Sequence, residues 1–341
     1  MRAAASKVRT PVLIVGGGPV GLYASSLLSA SGVPSLLAER SSRGSPHPRA
    51  HLINSRSMEL LRQLGVEDAI RTQTPPIREW SHFRYCSSLL GPQIAEQDHM
   101  ATGAWRDLCE ATSSPLAHLS QPKLEAILRA EAERRAATSG AQLLAGYTCV
   151  GFEQHADGVR AELQRSPGDG VGEAEEEGRP DRMVVEAEQL LACDGAHSPI
   201  RRALGLELRG PPALQHFKSI HFVAPALAEA AAERPAMLYF VFGPSAIAVL
   251  VAHNIAQGEW VAQIPFFPGL QQGELLDAAA CESAVSACIG GGPGGRAAVD
   301  FEVRVACVTP VTCVTHVACA AHVLQVTPRD PPRCARARAG R

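Results

Sequence analysis

The alternation of apolar and polar positions is clearest near the start of the chain, where a predicted strand runs directly into a predicted helix. An apolar run at positions 11–15 leads into the glycine pattern Gly16-x-Gly18-x-x-Gly21. The next residues repeat with helical spacing up to Gly32, which fits the glycine that ends a helix. We expect the buried face of this helix to consist of Val20, Tyr23, Ala24, Leu27 and Leu28.

The glycine pattern at this junction is suited to holding a pyrophosphate against bare backbone. Gly16 permits a tight turn, Gly18 carries no Cβ that would hold phosphates away, and Gly21 lets the helix pack closely on the strand. The helix start supplies N–H groups and the positive end of the dipole. The following apolar strand, 33–38, delivers Glu39 at about the 20-residue spacing of a ribose-binding carboxylate. Such a carboxylate disfavours a 2′-phosphate and favours FAD or NAD, although a solvated strand end remains an alternative.

Further along, the pattern predicts alternating helices and strands. A polar loop at 40–48 precedes a helix at 54–64, and a second helix begins near Ser120. Positions 140–151 favour a strand that turns at Asp157-Gly158 into its partner at 159–163. The acidic, low-complexity segment 166–182 is typical of a solvated loop.

A second strand-to-helix junction lies at Asp194-Gly195. The apolar run before it predicts a strand, and Ser198, Pro199 and Gly205 fit the cap, first turn and end of a short helix. Asp194 therefore falls at the carboxyl end of a strand, where open α/β sheets bind ligands. An ordinary Asp-Gly turn is the alternative.

From residue 217 the pattern changes to β-rich runs separated by turn residues, which predicts an antiparallel sheet. Its large side chains could line an apolar pocket, although most fit a plain core: Phe217, Phe222, Tyr239, Phe240, Phe242 and Trp260. Three histidines in these regions could orient a phenol, and each also fits a structural role: His82, His216 and His221.

Composition narrows the choice of function. The 341 residues suffice for two domains. A formal charge of −2 gives no positive electrostatic field that would attract nucleic acid. No apolar run reaches the roughly 20 residues that a membrane helix needs. Ten irregularly spaced cysteines favour reduced thiols in a cytoplasmic protein, although a short organelle-targeting start is an alternative.

The order of these motifs resembles that of the single-component FAD-dependent aromatic hydroxylases, the group A flavoprotein monooxygenases. The similarity covers about residues 10 to 303 and includes Pro48-Arg-Ala-His, Ser120-Gln-Pro-Lys and Cys193-Asp-Gly-Ala-His. It implies that NAD(P)H and O2 are co-substrates and that a phenol-like ring is hydroxylated. Arg49 and Gln121 would contact the pyrophosphate and ribityl chain of FAD, although Arg49 also fits a surface charge. The candidate cofactor-binding residues are Gly16, Gly18, Pro19, Val20, Gly21, Glu39, Arg40, Arg49, Gln121, Asp194 and Gly195.

The resemblance implies a mixed α/β fold in which a Rossmann-like FAD-binding domain carries an inserted or appended antiparallel substrate sheet. We expect the FAD domain at 10–80 and 120–208, the substrate region at 81–119 and 209–303, and an irregular, disordered tail at 304–341. We assign no catalytic side chain and no metal site. The spacing of Cys313, His316, Cys319 and His322 lacks the paired order of a zinc finger.

The tail departs from the family pattern. No Gly-Asp pair follows Asp194-Gly195, although the family carries one that binds the riboflavin half of FAD. We interpret residues 305–341 as a spurious or frame-shifted terminus, and we expect weak FAD retention and little hydroxylation. Two alternatives stay open: a flavin oxidoreductase without oxygen insertion, and a non-catalytic nucleotide-binding fragment.

Overall fold

A computed structural model describes residues 6–42, 44, 47–100, 103–166, 180–210, 213–267, 277–290, 299–311 and 324–326. Its described residues fall into two compact units, one within 1–45, 125–207 and 319–341, the other within 46–124 and 208–318.

The strands are, in chain order, β1 (Ser6–Val15), β2 (Ser35–Glu39), β3 (Leu52–Ile53), β4 (His82–Cys86), β5 (Gln93–Asp98), β6 (Ala117–His118), β7 (Gln142–Ala145), β8 (Tyr147–His155), β9 (Gly158–Arg165), β10 (Arg182–Ala192), β11 (Gln215–Val223), β12 (Leu238–Phe242), β13 (Ile247–Asn254), β14 (Glu259–Phe266), β15 (Glu302–Val311) and β16 (Leu324–Val326). The helices are α1 (Pro19–Ala30), α2 (Ser55–Gln63), α3 (Glu67–Gln73), α4 (Ala104–Ala111), α5 (Gln121–Ser139), α6 (Pro199–Ala203), α7 (Leu227–Glu233) and α8 (Ala278–Ile289).

The first unit is built on a sheet of order β7-β2-β1-β10-β9-β8, with β16 also paired to β10. Neighbours from β7 to β10 run parallel, and β9 and β8 add an antiparallel hairpin. The middle of the sheet is buried, since Leu13 of β1, Leu37 of β2 and Leu190 of β10 are almost fully enclosed. This arrangement confirms the α/β fold class and the hairpin predicted at Asp157-Gly158.

Helix α1 packs on this sheet through a different face from the one expected. Its buried residues are Gly21, Leu22, Ser25 and Ser26, whereas Leu27 is 43% exposed. The expected apolar face was therefore wrong. The physical reason is the close approach of helix and strand at Gly21, which admits small side chains on the helix face that meets the sheet.

The second unit is built on an antiparallel sheet of order β15-β11-β14-β13-β12-β4-β5, in which only the β12–β4 pair, among the described strands, runs parallel. One face carries the core, where Trp260, Phe222 and Leu250 pack with Val285 of α8. The predicted antiparallel sheet is confirmed. Three of the six aromatic side chains belong to this core, as expected for most of them: Phe222, Tyr239 and Trp260.

Three boundaries differ from expectation. The strand expected over 140–151 is two strands, because Gly146 adopts a left-handed φ of +79° between β7 and β8. The region expected to be irregular from residue 304 begins instead in β15, which pairs with β11 along its length. Residues 46–80 lie in the second unit, where the Arg71 side chain donates to the Leu116 carbonyl oxygen. Residues 167–179, which include most of the acidic segment, and the Cys/His cluster at 313–322 lie outside the described residues.

Candidate functional site

The carboxyl ends of three parallel strands meet in the first unit. The Gly16 N–H donates to the Ala38 carbonyl oxygen at 2.8 Å, and the Cys193 N–H donates to the Val15 carbonyl oxygen at 2.7 Å. These bonds join the segments that follow β1, β2 and β10. The glycine string, Glu39 and Asp194, which the sequence separates widely, are thereby brought to one edge of the sheet.

The three glycines of the string have different surroundings. Gly16 has a φ of +108°, and a Cβ there would lie 2.3 Å from the Cys193 carbonyl oxygen. A Cβ on Gly21 would lie 1.8 Å from the Gly16 carbonyl oxygen. A Cβ on Gly18 would meet no atom within 4 Å among the described residues. Gly16 and Gly21 are thus required by the fold, whereas Gly18 borders open space beside the helix start.

That open space lies at the amino end of α1. Gly18 is the N-cap residue and Pro19 begins the helix, and the Leu22 N–H donates to the Gly18 carbonyl oxygen, so the N–H groups of Val20 and Gly21 remain at the helix start. No side chain of the described residues caps them, and the first turn contains no acidic residue. A helix start with uncapped N–H groups and a positive dipole end attracts an anion. The helix end therefore suits a pyrophosphate.

The Glu39 side chain lies against the glycine loop at Gly17. Its Oε2 accepts the Gly17 N–H at 2.5 Å, and its Oε1 accepts the Ser41 N–H at 2.9 Å. The carboxylate is held against the glycine string by backbone donors, as a ribose-binding residue must be. Arg40, the next residue, is exposed.

Asp194 lies beside the same glycine loop, in the segment that follows β10. Its Oδ2 accepts the Ile200 N–H of α6 at 3.3 Å, while its Oδ1 is buried without a hydrogen-bond partner among the described residues. A buried carboxylate oxygen without a partner costs free energy, so it favours a ligand donor there. Gly195 turns the chain with a φ of +85°, and Ser198 caps α6. Burial and the neighbouring Asp194 raise the pKa of the Cys193 thiol to about 12, so Cys193 stays protonated.

Arg49 and Gln121 lie in the second unit. The structure brings their segments together, since the Gln121 N–H at the start of α5 donates to the Ala50 carbonyl oxygen at 2.8 Å. The Arg49 side chain is exposed and Gln121 is half-buried. Their contacts with a cofactor remain a prediction.

Sequence reasoning missed a group of buried histidines in the second unit. The ring of His51 lies 5.1 Å from that of His118 and 5.6 Å from that of His253, measured between centroids. The Trp80 indole stacks on His118 with planes 18° apart. A neighbouring pair, His47 and His221, has centroids 6.2 Å apart. We call His51, His118 and His253 the buried histidine cluster.

Burial keeps the cluster uncharged. Desolvation lowers the pKa of His51 to about 4 and, with the charges of His51 and Lys123, the pKa of His118 to about 3. Burial and then the neighbouring histidines hold the pKa of His253 well below its usual value. Neutral imidazoles each offer one donor and one acceptor nitrogen. Among the described residues, no group of three or more His, Cys, Asp or Glu side chains has the geometry of a metal site.

The three histidines that the sequence offered for orienting a phenol lie in different places. His221 lies beside the cluster, and its Nε2 is 3.4 Å from the Glu259 Oε1. His82 lies instead beside Asp98 at 3.9 Å. His216 pairs across the sheet with Phe266. The cluster carried no local signal, because its members come from a loop, a two-residue strand and a distant sheet.

Open α/β topology, a glycine-lined helix start and a carboxylate on the next strand define a dinucleotide-binding protein of the Rossmann type. Residues 9–298 match the family described as FAD binding domain, and the chain belongs to this family. FAD is accordingly its cofactor.

Similar proteins agree with this assignment. The 2,4-dichlorophenol 6-monooxygenase of Cupriavidus pinatubonensis is 32% identical over 240 residues, which are 70% of this chain and 37% of that protein. A putative polyketide hydroxylase of Streptomyces halstedii is 31% identical over 276 residues, 78% of this chain and 45% of that protein. The flavin-dependent monooxygenase PieE, solved with FAD and substrate, matches with a TM-score of 0.76 and 29% identity, over 90% of this chain and 50% of that one. The chain thus spans less than half the length of these two curated relatives.

Proposed function

We propose that this protein is an FAD-dependent monooxygenase that uses NAD(P)H and O2 to hydroxylate a phenol-like aromatic compound in the cytoplasm. The observation that supports the proposal is the junction at Gly18, where helix amides without a side-chain cap and the Glu39 carboxylate lie at the glycine loop. The names of the relatives, among them a phenol 2-monooxygenase of Pseudomonas, support the reaction class. No helix of the described residues is long and apolar enough to cross a membrane.

Each side chain of the site has a separate task. The amides at the start of α1 bind the pyrophosphate, and the Glu39 carboxylate accepts hydrogen bonds from ribose hydroxyls. Arg49 can pair bidentately with a phosphate, and Gln121 offers amide groups to the ribityl chain. Bound FAD supplies the transfer of electrons from NAD(P)H and the activation of O2. The protein's part is to hold the ring and to exclude water.

The substrate proposal draws on the open face of the second-unit sheet. Tyr85 and Phe240 stack with ring centroids 5.0 Å apart, and Phe242 continues the row beside Tyr85 at 6.4 Å. Phe242 is 52% exposed. A row of parallel rings offers a flat apolar surface to a flat aromatic molecule. Two of the relatives are named for such rings, the 2,4-dichlorophenol 6-monooxygenase and the phenol 2-monooxygenase.

The Glu39→Ala variant tests the function. We expect it to weaken FAD binding at least about tenfold, the equivalent of one charge-assisted hydrogen bond. Equilibrium dialysis and the visible flavin spectrum measure this. Glu153→Ala is the matched control, because its side chain is 72% exposed in the same unit. Equal FAD binding by all three proteins would contradict the proposal.

A product assay separates the reaction classes. Phenol-stimulated NAD(P)H oxidation with hydroxylated product supports the monooxygenase. Oxidation that yields hydrogen peroxide alone would assign a flavin oxidase activity instead. FAD binding without NAD(P)H oxidation would assign a non-catalytic nucleotide-binding protein.

A further inference from the structure

Four nitrogen atoms of the buried histidine cluster lack hydrogen-bond partners. They are the Nδ1 atoms of His51 and His253 and both ring nitrogens of His118, all buried and unpartnered among the described residues. His118 is 2% exposed and His253 is 6% exposed. Each unpaired buried polar group costs about 1–3 kcal/mol, and native proteins carry few of them. Three adjacent side chains with this defect indicate a ligand.

The histidines do not satisfy one another. The His51 ring meets the His118 ring at 64° and the His253 ring at 89°, so each contact is edge-to-face rather than nitrogen-to-nitrogen. The four nitrogens therefore stay without a hydrogen-bond partner among the described residues. A purely structural role would require bonds of this kind, because bonding is what repays the burial of polar side chains.

The chemistry of the cluster selects its ligand. Uncharged imidazoles can accept a hydrogen bond from a hydroxyl, but they give a carboxylate or phosphate no compensating charge. The flat Trp80 indole, stacked on His118, and the three edge-on rings favour an aromatic ring. The residues that add charge nearby are Lys123, which acts on His118, and the Glu259 carboxylate, which lies against His221.

We propose that His51, His118 and His253 form the subsite that recognises the hydroxyl group of the aromatic substrate, in its neutral phenol form. The proposal deepens the proposed function and rests on it, since it assigns the residues that distinguish a phenol from an aromatic ring without a hydroxyl. The hydroxyl donates to an unpartnered imidazole nitrogen and accepts from a neighbouring ring N–H. His221, whose Nε2 lies 3.4 Å from the Glu259 Oε1, lies beside the subsite.

Two probes test the subsite without flavin or NAD(P)H. 4-Nitrophenol and its methyl ether, 4-nitroanisole, differ in the single hydroxyl that the cluster would recognise. We expect the full-length protein to bind 4-nitrophenol at least about tenfold more tightly, the equivalent of about 1.4 kcal/mol. The bound probe should keep the absorption spectrum of the neutral phenol. Equal affinity for both probes, or a spectrum of bound phenolate, would overturn the proposal.

Substitutions then separate a ligand site from a structural one. His253→Leu and His118→Leu should each lose the preference for 4-nitrophenol and keep the affinity for 4-nitroanisole. They should also raise the melting temperature of the ligand-free protein, because an unpaired polar group is replaced by an apolar one. A lower melting temperature with the preference intact would show a structural role and refute the subsite.

Conservative and remote variants complete the design. His253→Gln retains a donor and an acceptor, so it should recover part of the preference that His253→Leu loses. His155→Leu is the control, since His155 lies in the hairpin of the first unit with its side chain 50% exposed. A protein that binds 4-nitrophenol through the cluster but forms no product would refute the proposed function and leave the subsite standing. Product formation together with equal binding of both probes would support the proposed function and refute the subsite.

Discussion

At the scale of single residues, the three glycines of the Gly16-x-Gly18-x-x-Gly21 motif divide into two that the fold needs and one, Gly18, that we propose the ligand needs. The backbone of Cys193 and of Gly16 itself blocks any side chain at Gly16 or Gly21. Gly18 has free space on its Cβ side. The same three-glycine motif therefore combines two different physical demands.

This division predicts opposite effects for two matched variants. Gly21→Ala should lower the free energy of unfolding by about 2 kcal/mol or more, because backbone atoms must shift to admit the methyl group. Gly18→Ala should leave stability within about 0.5 kcal/mol and weaken FAD binding. Urea unfolding and FAD dialysis on both proteins measure the contrast. Loss of stability in Gly18→Ala with normal FAD affinity would contradict it.

Local chemistry made these residues predictable, whereas the buried histidine cluster was not. The glycines, Glu39 and Asp194 each follow an apolar strand, and parallel strands place their carboxyl ends together. The cluster depends on how distant segments pack, and a single histidine in a sequence carries no sign of its neighbours. Of the histidines that the sequence favoured, His221 alone lies beside it.

At the scale of elements, the capping residues of α2 followed the sequence, whereas the buried face of α1 did not. Asn54 caps α2, its Oδ1 accepting the Ser57 N–H at 2.8 Å, and Gly65 follows the helix with a φ of +78°. Capping chemistry is local and so can be predicted from neighbouring residues. The buried face of α1 could not be predicted from neighbouring residues, because close packing at Gly21 outweighed the apolar pattern.

The cap of α2 yields a prediction at this scale. Asn54→Ala should reduce the free energy of unfolding by about 1 kcal/mol, since it leaves the first-turn N–H groups without a side-chain acceptor. Asn54→Ser keeps an acceptor oxygen and should stay within a few tenths of a kcal/mol of the parent. Guanidinium unfolding of the three proteins compares them. An Asn54→Ala protein as stable as the parent would show that the bond contributes nothing.

At the scale of the whole molecule, the buried histidine cluster makes stability depend on pH. Below pH about 6.5 the unfolded chain protonates its histidines, while the folded protein keeps His51 neutral down to about pH 4. The unfolded state then binds more protons, so stability falls as pH falls through this window. His118 and His253 act in the same direction.

Other groups around the cluster modify this dependence. Burial alone would lower the pKa of His47, but Cys307 and the backbone carbonyls of Ser219 and Pro48 raise it. Its contribution to stability is therefore present at low pH and lost as pH rises. The hydrogen bond from His221 lowers the pKa of Glu259, which stays ionised in this range. The charge of Lys123 adds to the lowering of the pKa of His118.

We expect the free energy of unfolding to drop between pH 6.5 and pH 5 by up to about 1.4 kcal/mol per pH unit for each neutral histidine. In the His118→Leu variant the free energy of unfolding should fall less steeply with pH, by up to about 1.4 kcal/mol per pH unit. His155→Leu, at an exposed position, should leave the profile unchanged. Urea titrations at several pH values provide the curves, and a parent protein equally stable at pH 5 and pH 7 would contradict the prediction.

The pairing of β1 with β10 has a consequence for how the chain is made. Val15 lies opposite Ala192, so the first strand to leave the ribosome must wait for one of the later strands of its own sheet. At bacterial or eukaryotic synthesis rates that delay is on the order of 10 to 40 seconds. During it, β2 can pair with one edge of β1, but the edge that β10 will occupy stays unpaired. A nascent chain arrested before β10 would present that edge of β1 to chaperones or to other chains, and its yield would depend on translation speed.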